Sequence, residues 1–258
     1  MNILVCIKQV PDDSVEVSMG ADGKPAVEGL TPVVNAFDTY ALEMATRYKE
    51  ALADDTQITV ICVGPESAKN SLKNCLAVGA DAAYLISDVP TDSLGIAEVL
   101  KGAVAKLEDE KGKFDLIFTG KEATDIAFGA TGIMLASKLG YPVVTDAIDL
   151  EAAEGAVQVK HETDEGYRLI EAPLPAVITV SKPAYDPRYP TIKNKMAARR
   201  KKIDDLDGAS LADATAPKTV VVAEIEPPKR AAGVKIQEES EEESTAKAIQ
   251  MMVDAKVL

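Results

Sequence analysis

Chemistry in this chain has few residues to rest on. Its one histidine, His161, excludes a multi-histidine metal centre, and a Ser-His-Asp triad could be assembled only around that residue. Cys6, Cys62 and Cys75 are odd in number, widely spaced and set among apolar neighbours. They are expected to be buried thiols rather than a disulfide, a metal site or a nucleophile. Two other kinds of chemistry remain. Residues 120–125, Gly-Lys-Glu-Ala-Thr-Asp, follow a strand-like run and lead through Gly129, Thr131 and Gly132 into a helical pattern. Backbone N–H groups and the dipole at such a helix start can hold a phosphate, although glycine-bearing turns after strands also occur as plain turns. Neither a Walker loop nor a GxGxxG is present.

The second candidate is residues 184–203. From 193 to 202 there are six basic residues (Lys193, Lys195, Arg199, Arg200, Lys201, Lys202) and no acidic one, in a chain of formal net charge −14. They stand behind Tyr189-Pro190-Thr191-Ile192, where Pro187 and Pro190 fix the backbone and leave a stiff loop feeding a basic helix. The segment reads as a docking site for an acidic partner. On composition alone, residues 196–203 also fit a short solvated helix.

The elements that must position these residues follow from periodicity. Apolar runs at 3–7, 58–63, 83–86 and 116–118 have the character of buried strands, and helical patterns at 37–50, 67–78, 94–107 and 129–139 lie among them. Gly79 and Gly140 stop two of those helices. Such alternation predicts an α/β fold: a Rossmann-like, doubly wound, mostly parallel sheet with helices on both faces. In such a sheet ligands sit beyond the carboxyl ends of the strands, here the loops at 8–12, 64–67 and 120–125. Shorter runs at 143–150, 156–162, 167–170 and 176–180, separated by polar turns, predict added antiparallel hairpin strands.

Residues 1–203 are read as one nucleotide-binding α/β domain that includes the 184–203 loop, and 204–258 as an extended C-terminal arm. The arm is rich in Ala, Pro and Glu and cannot form a core alone. Ser244 is the expected cap of a last helix whose Ala246, Ile249, Met252, Val253 and Val257 share a face. That helix either wraps a partner subunit or folds back on its own domain. The acidic balance argues against nucleic acid as a partner. No stretch of about eighteen apolar residues argues for membrane insertion, and the N-terminus runs straight into a strand pattern, so a cytoplasmic protein is expected.

Taken in order, these segments resemble the beta subunit of the electron transfer flavoproteins: CIKQVPD at 6–12, VNAFDTYALE at 34–43, GPESAKNSLKNCLAVGAD at 64–81, GKEATD at 120–125, LPAVITV at 174–180, and PRYPTIKNKMAARRKKI ending at Ile203. The resemblance implies a heterodimer with a larger, flavin-bearing alpha subunit. It also implies an adenine nucleotide in this chain: FAD that takes hydride from NADH in electron-bifurcating members, or AMP as a structural ligand. FAD is preferred here because the Lys121-bearing segment, together with 6–12 and 34–43, looks like the bifurcating members. By the same resemblance the ligand is lined by Cys6, Asn35, Val60, Val63, Gly120, Lys121, Glu122, Ala123, Thr124, Asp125, Gly129, Ala130 and Thr131. Asn35 and Asp125 are its polar contacts, and Ala123, Thr124, Thr131 and nearby amides take phosphate. Asn35 alternatively caps the helix near Phe37. The recognition loop of the family falls on Tyr189, Ile192, Lys193, Lys195, Met196 and Arg199, with Ile192 its apolar anchor for an acyl-CoA or other flavin-dependent dehydrogenase. Where the family often continues its nucleotide loop with acidic and polar residues, this chain has Ile126, Ala127 and Phe128, which implies a changed floor to the site. No catalytic residue and no metal ligand is assigned. Two alternatives are a non-redox AMP-binding docking platform and a free-standing adenine-nucleotide sensor with no alpha subunit.

Overall fold

The computed structural model describes residues 1–12, 14–53, 55–87, 91–212, 216–228 and 232–258. Expectations for the arm at 213–215 and 229–231 lie outside the described residues. The chain runs β1 (Asn2–Ile7), β2 (Gln9–Pro11), β3 (Pro32–Val34), α1 (Ala36–Leu52), β4 (Gln57–Gly64), α2 (Lys69–Val78), β5 (Ala82–Ser87), α3 (Ser93–Lys111), β6 (Leu116–Gly120), α4 (Thr131–Leu139), β7 (Val143–Ala153), β8 (Ala156–Thr163), β9 (Gly166–Pro173), β10 (Ala176–Val180), α5 (Ile192–Arg200), β11 (Asp204–Leu206) and α6 (Glu241–Asp254). Short 3₁₀ turns precede α2, at Glu66–Ala68, and follow β11, at Gly208–Ser210.

One nine-stranded sheet, in the order β11-β5-β4-β1-β6-β10-β7-β8-β9, forms the frame, and β2 and β3 make a separate two-stranded antiparallel ribbon. Successive side chains of a strand point to opposite faces, and β1 shows the result. Ile3, Val5 and Ile7 join a core with Ala41 and Leu42 of α1 and Leu72 of α2. Leu4 and Cys6 join the opposite core with Leu100 of α3 and Leu135 of α4. Both faces of the strand are therefore covered, which is why its residues form an unbroken apolar run and why the sheet is doubly wound.

Gly79 and Gly140 end α2 and α4 as expected, Gly140 in the left-handed region at φ 70°. Residues 143–180 differ from the expectation of hairpins throughout. Strands β7, β8 and β9 do form an antiparallel meander. Strand β10 instead returns to the middle of the sheet, parallel to both β6 and β7. All five of its residues, Ala-Val-Ile-Thr-Val, are buried, the pattern of a central strand rather than a hairpin edge. Beyond Ile203 the sheet gains one more edge strand, β11, parallel to β5.

The last helix begins earlier than expected. Ser240, not Ser244, is its cap and accepts the N–H of Glu243. Ser244 donates its hydroxyl to the Ser240 carbonyl one turn on. No residue of α6 is buried, and Ile249, Met252 and Val257 are exposed. The root of the arm is fastened by Asp92, which caps α3 through the Gly95 N–H and also accepts the backbone N–H groups of Lys218 and Thr219. Those bonds hold the Asp92 carboxyl down at about 2. The three cysteines are buried and form no disulfide.

Candidate nucleotide crevice and exposed loop

From β1 the chain winds outward through β4 to β5, then crosses back over β1 to place β6 on its other side. Strands β1 and β6 therefore flank the point where the winding reverses, the place where an open α/β sheet leaves a crevice beyond its strand ends. Four residues tie the two strand ends together there. Asp38, in the first turn of α1, accepts the Lys8 N–H at 2.7 Å on one oxygen and the Gly120 N–H at 2.9 Å on the other. Lys8 reaches across to Asp125 at 2.7 and 2.8 Å. Asn35 donates to the Glu122 carbonyl at 2.8 Å and accepts the Thr124 N–H at 3.0 Å.

Asn35 precedes α1 but makes no side-chain cap bond to it, so the capping alternative gives way to a loop-holding role. Its side chain is 1% exposed, and its amide bonds residues 122 and 124. The Thr124 N–H is thereby committed within the protein. Gly120 lies so close to α1 that an added Cβ would stand 2.4 Å from Asp38 Oδ1 and 2.7 Å from Phe37 Cβ. That contact lets the loop turn across the start of α1. Lys121 lies over the Phe37 ring, 5.1 Å from its centroid.

Further along the loop, Gly129 adopts φ 63° and Ala130, at the cap position before α4, offers no side-chain cap. The leading N–H groups of α4 therefore have no side-chain acceptor from the cap position, beside Ala130 and Thr131. Beneath them Thr119 Oγ1 is buried with no hydrogen-bond partner. A Cβ at Gly132 would meet that hydroxyl at 2.4 Å, so glycine there lets the helix start sit on Thr119. The uncapped helix start suits an anionic group.

Cys6 and Val63 lie at the carboxyl ends of β1 and β4, Cys6 buried and Val63 half-buried. Burial first, and then Asp38, push the Cys6 thiol up, so it stays neutral. Val60 is wholly buried among Val5, Leu72 and Leu85, and contributes to the core rather than to the crevice surface. Glu122 and Ala123 are half-buried, with the Ala123 carbonyl accepting the Ala127 N–H at 2.7 Å. Ile126 and Phe128 are 68% and 61% exposed. His161 lies on β8, paired with Ala147 of β7, and holds the Thr145 carbonyl through Nδ1 at 2.6 Å. Among the described residues no three His, Cys, Asp or Glu side chains gather as a metal site.

Sequence reading missed Asp38. Asp38 sits among apolar helix residues, and burial, outweighing its hydrogen bonds with Lys8, Asn35 and Gly120, pushes its carboxyl up to about 7. The only signal for it was an acidic residue in the first turn of a helix that follows a strand end.

The basic segment divides in two. Tyr189 is 93% and Ile192 81% exposed, and Met196 is exposed as well. Thr191 caps α5 by accepting the Asn194 N–H at 3.1 Å. Lys193, Lys195, Arg199 and Arg200 make no ion pair among the described residues. Lys201 and Lys202 have partners within the chain, Lys202 while still 82% exposed. Lys201 donates to the Ala80 and Asp81 carbonyls after α2, and Lys202 pairs with Asp204. The unpaired basic group is thus smaller than the charge count suggested.

Residues 26–211 match the family described as the electron transfer flavoprotein domain. The chain belongs to the electron transfer flavoprotein beta-subunit family. It is 37% identical over its whole length to the electron transfer flavoprotein subunit beta of Megasphaera elsdenii, covering all of that protein as well. It is 35% identical to the subunit of the same name from Mus musculus, over 92% of this chain and 93% of the relative. It is also similar to the caffeyl-CoA reductase-Etf complex subunit CarD of Acetobacterium woodii, at 34% identity over 77% of this chain and 75% of that protein. No helix among the described residues is long and apolar enough to cross a membrane.

Proposed function

We propose that this chain is the smaller half of a heterodimer, paired with an electron transfer flavoprotein alpha subunit, and that it holds FAD in the β1/β6 crevice. The observation that carries the reading is the junction of Lys8, Asn35, Asp38 and residues 120–125 at the reversal point of the sheet, beside the uncapped start of α4. In this reading the first turn of α4 and Thr131 hold the phosphates, and Cys6 and Val63 flank the adenosine end. FAD, when bound, supplies the electron transfer between NADH or a flavin-dependent dehydrogenase and the alpha-subunit flavin. The protein's own residues bind and orient it, and residues 189–199 meet the dehydrogenase. Exposed Ile126 and Phe128 give a flat ring system apolar surface to rest on, which favours FAD over AMP.

A second reading is AMP as a structural ligand. It is favoured by the Lys8–Asp125 ion pair, which spans the crevice and would limit a longer group. Extraction of the purified heterodimer decides between them: two flavins per heterodimer support FAD here, and one flavin with one AMP overturns it.

A further inference from the structure

Arg188 fastens the exposed loop to α1. Arg188, between Pro187 and Pro190, donates Nε to Glu43 Oε2 at 2.8 Å and Nη2 to Glu43 Oε1 at 3.0 Å. It donates Nη1 and Nη2 to the two oxygens of Glu50 at 2.6 and 3.0 Å. Its backbone N–H also reaches Glu43 Oε2 at 3.1 Å. Glu43 and Glu50 stand two turns apart on one face of α1 and form a fork for a planar guanidinium. The Glu43 side chain is only 5% exposed, so this carboxylate depends on its partner. Earlier in the loop, the Arg47 guanidinium lies 4.2 Å over the Tyr185 ring. The residue after Arg188 is Tyr189, almost fully in solvent.

We propose that Arg188, held by Glu43 and Glu50, is the positioning residue of the docking loop, fixing Tyr189 and Ile192 in the posture a flavin-dependent dehydrogenase meets. This rests on the docking reading above. Arg188 is itself turned onto α1, so its effect on docking is indirect. Released from the clamp, the loop spends only part of its time in the competent posture, and apparent affinity falls by that fraction. Because α1 also carries Asp38 at its start, one helix frames both the crevice and the loop.

The test uses the intact heterodimer and an acyl-CoA dehydrogenase reduced by its acyl-CoA substrate, comparing Arg188→Ala, Arg188→Lys, Glu50→Gln and Ile192→Ala. Arg188→Ala should raise KM for the dehydrogenase about tenfold, with kcat and nucleotide content unchanged. It should also speed tryptic cleavage after Lys193 and Lys195. Arg188→Lys, a point charge that satisfies one glutamate, should recover part of the KM. Should Arg188→Ala fail to assemble, Glu50→Gln opens only the exposed half of the clamp and should raise KM about threefold. A KM raised by Ile192→Ala but unmoved by Arg188→Ala and Glu50→Gln overturns the positioning role and leaves docking intact. A KM unmoved by Ile192→Ala overturns the docking reading and this inference together. Loss of kcat and nucleotide with Arg188→Ala would assign the arginine to general scaffolding instead.

Discussion

Replacing Asn35 by alanine would strike the junction that the proposed site depends on. The side chain is almost wholly buried and makes hydrogen bonds at 2.8 Å to the Glu122 carbonyl and 3.0 Å from the Thr124 N–H. Alanine leaves both backbone groups without a partner. At about 1–1.5 kcal/mol each, allowing for water reaching a half-buried loop, the loss is about 2–3 kcal/mol. For a chain of this size that is a fall in Tm of roughly 4–12 °C. The loop would then hold its shape for only a fraction of the time, and a tenth of the time would raise the Kd for added nucleotide about tenfold. The assay is thermal unfolding of the heterodimer with and without FAD or AMP, alongside equilibrium dialysis of each nucleotide. A lowered Tm with unchanged Kd for both would remove residues 120–125 from the binding site. An unchanged Tm would mean the two hydrogen bonds contribute nothing.

Three further outcomes are expected. Ile192→Ala should raise KM for the dehydrogenase about tenfold, since full burial of such a side chain is worth about 1.5–3 kcal/mol, and added salt should weaken docking if Lys193, Lys195 and Arg199 steer it; steady-state kinetics across ionic strength check both. The Asp38 carboxyl carbon should titrate by NMR near pH 7. Its folded value lies above the ordinary 3.8, so the stability it lends is complete below about pH 4 and is lost as pH rises through 7; a midpoint near 4 would refute this. Asp92→Ala should free the arm root, seen as faster proteolysis within residues 216–228. In the parent protein the same release should appear only as pH falls through about 2, because the folded carboxyl lies below its ordinary value.

Much of the frame was legible because burial on both faces leaves a local trace. The apolar runs of β1, β4, β5 and β6 and the glycine stops of α2 and α4 depend on neighbours within a few residues. So did the stiff loop with Tyr189 and Ile192 at its tip, since proline sets the backbone locally. The motif resemblance supplied the candidate site residues, and the structure shows what some of them touch. Asn35 proved to be a loop holder and Val60 a core residue.

Sequence alone determined the alternation of strand and helix, and an acidic chain of formal net charge −14 bearing one basic segment. The tertiary structure decided which charges are spent. Lys201 turns inward onto carbonyls after α2, Arg188 crosses to α1, and Lys8 spans the crevice to Asp125, partners lying far away along the chain. It also decided that β10 returns to the sheet centre while β7–β9 extend its edge. The physical reason is the same in each case. Periodicity records how one segment meets water or core, whereas pairing depends on which segments the sheet brings side by side, and no single segment carries that information.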